Sequence, residues 1–126
     1  MDFNIIREYL IADQAIRELV GDNVFLFERP EKLTCTDYII YSPKELQSPG
    51  GCVHAYQLDM RVISTDKLKL LAIKQRLVEL LDDHNRATNI SDKDTCIRKI
   101  RMVNGGGIAK ADNGDYNAFL YFYVII

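Results

Sequence analysis

Tyr56-Gln57-Leu58-Asp59-Met60-Arg61-Val62, running on through Ile63 into Ser64-Thr65-Asp66, is the stretch on which the reading of the fold turns. Tyr56, Leu58, Met60 and Val62 alternate with Gln57, Asp59 and Arg61. Successive side chains of an extended chain point to opposite faces, so this pattern predicts a strand with one face on a core. We read that strand over Val53 to Ser64. Ser64-Thr65-Asp66 then caps a helix running to about Asp83, with Leu70, Ile73, Leu77 and Leu81 as its buried stripe. Leu68, Leu71, Val78 and Leu80 flank the stripe, and His84-Asn85-Arg86 ends the helix.

Upstream, Tyr38 to Ser42 is a partner strand, and Pro43 with Gln47-Ser48-Pro49-Gly50-Gly51 makes the connection between the two. Residues 43–52 are therefore expected to be a flexible hairpin tip. Further back, Ile5, Tyr9, Ala12, Ile16 and Leu19 recur at helical spacing, widened by Ile6, Leu10 and Val20. This predicts one amphipathic helix, with Asp2 as N-cap and Gly21 as the stop. Val24 to Glu28 is a short strand. Downstream, residues 85–95 are expected to be polar loop, Cys96 to Val103 a fourth strand, and Asn117 to Ile126 a fifth. The Gly-rich segment between them is expected to be a flexible loop near 104–116, with Asn113-Gly114 as its tight turn. The expected fold is one α+β domain over 1–126, in the order α-β-β-β-α-β-β. Its sheet is mainly antiparallel, with two helices on one face.

The chain has 126 residues, 48% of them hydrophobic and 27% charged, which suits a single buried core rather than a disordered chain. Sixteen Lys and Arg against eighteen Asp and Glu leave a net charge of -2, so no general attraction to nucleic acid or anionic membrane follows. No apolar run approaches the roughly 20 residues a membrane span needs. Met1-Asp2-Phe3-Asn4 lacks the basic start of a signal peptide. Cys35, Cys52 and Cys96 are an odd number without a C-x-x-C pair, which reads as free thiols in a reducing cytosol.

Candidate chemistry is thin. Cys52 and His54 share a strand face, but no orienting group or oxyanion site accompanies them. Cys35, Cys52, His54 and Cys96 match no zinc-site spacing and are better explained as small apolar residues. Asn104-Gly105-Gly106-Gly107-Ile108-Ala109-Lys110 lacks the Ser/Thr and following helix of a phosphate loop. Asp112 and Asp115 lack the ligand spacing of a calcium loop. Lys67, Lys69, Lys74 and Arg76 on the second helix read as a solvated face. Arg98, Lys99 and Arg101 on the fourth strand read likewise, with single-strand nucleic-acid binding as the alternative. No enzyme, cofactor or metal is expected.

The last strand carries the functional signal. Leu120, Phe122, Val124 and Ile126 form one face, and Phe119, Tyr121, Tyr123 and Ile125 form another that is equally apolar. Helices on one side of the sheet leave the second face to an interface, or to cover by the N-terminal segment or the long hairpin.

The chain resembles the small tail-completion (tail terminator, or tail-to-head joining) proteins of long-tailed bacteriophages. The resemblance runs through Ile5-Ile6-Arg7-Glu8-Tyr9-Leu10, Ile16-Arg17-Glu18-Leu19-Val20-Gly21, Tyr38-Ile39-Ile40-Tyr41 and the alternating Tyr56 to Val62 stretch. It continues through the leucine-rich helix with Leu70, Leu77 and Leu81 and into the closing strand. The chain departs from the family in having Thr36-Asp37 where a proline usually precedes the second strand. The resemblance implies a non-enzymatic subunit, made in the host cytoplasm and resident in the virion at the head-tail junction. There it would form a six-membered ring, cap the tail-tube protein and dock the head connector or stopper protein. DNA would pass through without being specifically bound, and no membrane would be involved. Phe119, Tyr121, Tyr123 and Ile125 are then the expected subunit interface. Gln47, Ser48, Gly50 and Gly51 in one loop, and Gly106, Lys110 and Asp112 in the other, are the expected partner-docking residues. A head-completion (stopper or adaptor) protein and a small nucleic-acid-binding domain are the alternatives.

Overall fold

Alternation along the chain produces a five-stranded sheet whose apolar side is covered by three helices. The computed structural model describes residues 3–32, 34–46, 55–82, 90–91, 96–97 and 99–125. The elements run α1 (Asn4–Ala12), α2 (Gln14–Val20), β1 (Val24–Leu26), β2 (Tyr38–Leu46), β3 (Ala55–Ser64), α3 (Lys67–Leu81), β4 (Ile90–Ser91), β5 (Cys96–Ile97), β6 (Lys99–Lys110) and β7 (Tyr116–Ile125). The sheet order is β1-β2-β3-β7-β6, and β4 and β5 form a separate two-stranded ribbon. The α+β class and the mainly antiparallel sheet are as expected.

The core is the side of the sheet carrying Leu58, Met60 and Val62 of β3 and Ala118, Leu120, Phe122 and Val124 of β7. Against it pack Ile5, Ile6 and Leu10 of α1, Ile16 and Val20 of α2, and Leu70, Ile73, Leu77 and Leu81 of α3. Each fully buried Leu, Ile or Phe contributes about 1.5–3 kcal/mol of transfer free energy. Asp66 caps α3 as expected, its carboxylate accepting from Leu68 N–H at 3.0 Å. Gly21 ends α2 at φ 66, a left-handed angle that favours glycine.

Five expectations are corrected. The N-terminal helix is two helices, broken at Asp13, whose extended backbone (ψ 124) lets its carboxylate cap α2 through Ile16 N–H at 3.1 Å. The cap of α1 is Phe3, without a side-chain bond; Asp2 lies outside the described residues. β1 runs parallel to β2, which leaves the sheet mainly antiparallel as expected. β2 continues through Pro43 to Leu46 where the hairpin tip was expected to begin; residues 47–54, with Gln47, Ser48, Gly50 and Gly51, lie outside the described residues. Pro43 is tolerated because β1 stops opposite Tyr41, leaving β2 an edge strand beyond that point.

The fourth correction concerns residues 104–116. Asn104 to Lys110 are strand, not loop, and only residues 111–115 form the turn. The glycines are absorbed by two register shifts against β7, between Met102 and Asn104 and between Asn104 and Gly107. The fifth concerns 85–95, expected to be polar loop: Ile90 and Ser91 pair with Ile97 and Cys96, and Ile90 and Ile97 are buried in the core.

Polar staples tie the layers. Arg76 of α3 donates to both carboxylate oxygens of Asp13, at 2.6 and 3.0 Å, and also to Glu79 at 2.9 Å. Lys69 donates to Asp37 at 2.8 Å, and the buried Ser64 hydroxyl donates to the other Asp37 oxygen. Two of the four cations read as a solvated face, Lys69 and Arg76, are thus structural. Asp37, one of the residues standing where the resembled family has proline, is what anchors the chain ahead of β2.

The two sheet edges differ. On β1, Arg7 Nε donates to Val24 C=O at 2.9 Å, Val24 N–H to Asp22 C=O, and Glu28 N–H to Leu26 C=O. These local bonds occupy the outward groups of Val24 and the Leu26 C=O in a three-residue strand. β6 is long, and its outer side has no neighbouring strand among the described residues. Near its start, Asp82 accepts the Met102 N–H at 3.0 Å.

Candidate functional site: the open face of the sheet

Because side chains alternate, every residue between the core positions of β7 is turned to the second face, and Phe119, Tyr121, Tyr123 and Ile125 are half-buried there. Register fixes their neighbours. Phe119 lies between Arg61 and Gly107, Tyr121 between Asp59 and Asn104, Tyr123 between Gln57 and Arg101, and Ile125 between Ala55 and Lys99. The rows extend into β2, where Arg61 faces Ile40, Asp59 faces Ser42 and Gln57 faces Lys44.

Part of this face is covered among the described residues by the link between parallel β1 and β2, where Cys35 packs with Phe25 on Tyr38, Ile40 and Ile63; the expected hairpin tip lies outside the described residues. α1 lies on the opposite side of the sheet, against the core. The crossover stops short of β7. Two adjoining hollows remain, of about 310 and 260 Å³, sharing Arg61 and Phe119 as their divide. Phe27, Ile40, Asp59 and Tyr121 line the larger, and Tyr38, Asn113 and Asp115 the smaller.

Phe27 is the most unusual residue on the face. It is 60% exposed and sits at φ 68, the one non-glycine with positive φ among the described residues. An aromatic side chain gains nothing from that backbone angle in an isolated domain. Phe27 N–H donates to Tyr41 C=O at 2.9 Å, which holds the strained residue at the rim. Sequence reasoning passed over it because Val24 to Glu28 read as plain strand.

The face is electrostatically lopsided. Lys44, Arg61, Lys99 and Arg101 all occupy it and are exposed, against the carboxylates of Asp59, which accepts from Gln57 at 2.7 Å, and Asp115 at its end. Among the described residues none of the four cations is ion-paired. Arg101 lies over the Tyr123 ring at 5.7 Å, and Arg29 reaches the Tyr38 ring at 6.0 Å.

The expected docking residues are dispersed. Gly106 is a bulge residue at φ 62 packed against Phe119, so it belongs with the expected interface strand rather than a loop. Lys110 ends β6 with its ammonium 5.6 Å from the Tyr116 ring, and Asp112 is exposed in the turn. Arg98, Cys52 and His54 lie outside the described residues. Burial pushes the Cys35 thiol above its ordinary pKa, which disfavours the thiolate a nucleophile needs. Among the described residues no three His, Cys, Asp or Glu are grouped to hold a metal, and no helix is long and apolar enough to cross a membrane.

No family model matches the sequence, and no curated protein does. Among solved structures, a chain from the virion of a native gene transfer agent (GTA) particle has the same fold, with a TM-score of 0.74 at 13% identity, over 95% of this chain and 90% of that one. A second solved chain, 11% identical, matches with a TM-score of 0.62 over 100% of this chain and 96% of its own. At such identities the likeness is one of fold, and it spans essentially the whole of each chain.

Proposed function

We propose that this chain is a structural subunit of a phage-like particle, and more narrowly a tail-completion subunit that forms a ring at the end of the tail tube and joins tail to head. The observation that carries the reading is the whole-length fold match to a chain of the GTA virion. The open face supports it. An apolar, aromatic-rich sheet surface flanked by two hollows suits contact between subunits, with Phe119, Tyr121, Tyr123 and Ile125 at its centre. On this reading the protein acts by binding alone, through copies of itself, the tail-tube protein and the head connector.

The test is assembly on purified tail tubes, followed by electron microscopy and native mass spectrometry. A terminal ring on tubes is the expected result. A protein that stays monomeric and leaves tube ends bare overturns the reading, and one that binds isolated heads but not tubes moves it to the head-completion role. Tyr121→Asp and Tyr123→Asp should block the ring while leaving the subunit folded.

A further inference from the structure

β6 is one strand held in two registers. From Lys99 to Met102 it pairs with Ile125 to Phe122, and from Gly107 to Lys110 it pairs with Phe119 to Tyr116. Between these halves β6 advances five residues, 102 to 107, while β7 advances three, 122 to 119. The bulges store the two-residue surplus. A one-residue slip turns every side chain of a strand to the other face, whereas a two-residue slip returns each to its own, and glycine-rich strands hold register weakly. We propose that β6 is a sliding strand: its far half moves two residues, about 7 Å, along β7, pulling the bulges straight and lengthening the turn that follows. The use of that motion, to extend the turn when the subunit docks, rests on the tail-completion reading above; the slide itself does not.

Each half has its own anchor, and neither anchor spans the glycines. In the near half Ile100 is buried opposite Val124, and the Met102 N–H donates to Asp82 at 3.0 Å. In the far half the turn sets the register. Ala111 N–H donates to Asp115 C=O at 2.7 Å and Gly114 N–H to Ala111 C=O at 3.0 Å, with Gly114 supplying a left-handed φ of 93. Asp112, Asn113 and Gly114 are exposed, so these turn bonds compete with water.

The slid strand is one this sequence can form. Gly107 would face Asn117 and Ile108 would face Tyr116, each on its present side of the sheet. Val103, now largely exposed, would join the ladder opposite Tyr121, and Gly106 would exchange its φ of 62 for an extended angle opposite Ala118. Against this, Asn104 would lose the bond it accepts from Gly106 N–H at 2.8 Å and turn to the helix-covered side opposite Leu120. That loss, with the turn bonds, keeps the bulged register as the resting one. The turn would open from three residues, 112–114, to five, 110–114, so that Lys110 and Asp112 both lie in it.

Cysteine trapping reads the two registers. In a chain with Cys35, Cys52 and Cys96 replaced by serine, K110C/Y116C sets two thiols opposite each other at rest, and I108C/Y116C does so only after the slide. At rest the second pair is diagonal, with Cα atoms about 7–8 Å apart and at or beyond disulfide reach. Under oxidised glutathione the first pair should close fast and the second slowly, and Gly106→Ala or Asn104→Val should speed the second about threefold or more. Relaxation dispersion on the unmodified chain reads the motion without cysteines: Val103 and residues 105–116 should share one exchange process that β3 lacks. Absence of that process, or an I108C/Y116C rate unmoved by both substitutions, overturns the slide. Oxidised K110C/Y116C, locked at rest, should complete purified tail tubes about tenfold less well than the same protein reduced. Equal completion by the two forms overturns the docking use of the slide, whereas wild-type protein that leaves tubes bare overturns the tail-completion reading and not the slide.

Discussion

Gly106→Ala should be among the most damaging single-methyl changes in the sheet, and Gly107→Ala next to it should be nearly silent. At Gly106 the backbone has φ 62, and an added Cβ would run into the Phe119 carbonyl oxygen and lie 2.8 Å from the Phe119 Cβ. The left-handed angle costs an L-residue about 1–2 kcal/mol. The obstruction is backbone, so no rotamer change relieves it. The bulge must reopen, losing about one cross-strand hydrogen bond, or about 1 kcal/mol. The sum is about 2–3 kcal/mol, which for a chain of this size lowers the melting temperature by about 10 °C. At Gly107 an added Cβ meets nothing within 4 Å, and the backbone is not left-handed. Alanine there should be neutral or stabilise by up to about 1 kcal/mol, by restricting the unfolded chain. Urea denaturation of both variants, with thermal melts alongside, makes the comparison. Equal melting temperatures for the two variants would refute the claim that the bulge geometry, rather than glycine content, shapes this edge.

Three further outcomes can be checked. Arg76→Ala should destabilise by about 1.5–3 kcal/mol in urea, because it strips a two-pronged partner from the largely buried Asp13 and loosens α2 from α3. Phe122→Ala, at a fully buried site on the helix-covered side of the sheet, should cost about 3–5 kcal/mol by chemical denaturation, a large share of a domain's stability. Stability should also fall in acid. The Arg76 hydrogen bonds hold the Asp13 carboxyl below the usual range. Burial raises that of Asp37, but the Lys69 and Ser64 hydrogen bonds outweigh it and leave it lowered too. A lowered folded pKa means stability present above the unfolded value and lost as pH drops through the folded one. Unfolding midpoints should therefore decline below about pH 4, and Asp37→Asn should flatten that decline.

Periodic segments could be read from sequence, and segments whose conformation is set by a neighbour could not. α3 and β3 emerged with their faces assigned, since Leu70, Ile73, Leu77 and Leu81 and the alternation from Tyr56 to Val62 each reflect one repeating geometry. The break at Asp13 stayed hidden because Ile16 and Val20 remain on the same apolar side as Ile5 and Leu10. β6 passed for a loop because three consecutive glycines carry no pattern of their own, and pairing with β7 imposes the strand. The parallel direction of β1 is not encoded in Val24-Phe25-Leu26, and with it went the packing of Cys35 on the second face. The second apolar face of β7 was legible. Its basic surround was legible only along β6, at Lys99 and Arg101, because Lys44 and Arg61 come from other strands that only register brings to them.

The capped edge at β1 has a consequence for what happens when many copies are made at once. On the β1 side of the sheet, an added strand would meet Arg7, Asp22 and Glu28, whose bonds occupy the outward groups of Val24 and the Leu26 C=O. What remains on that side is the end of β2 past Tyr41, and Pro43 within it has no N–H to donate to an added strand. Growth of a continuous sheet by repeated edge pairing is thereby hindered on that side.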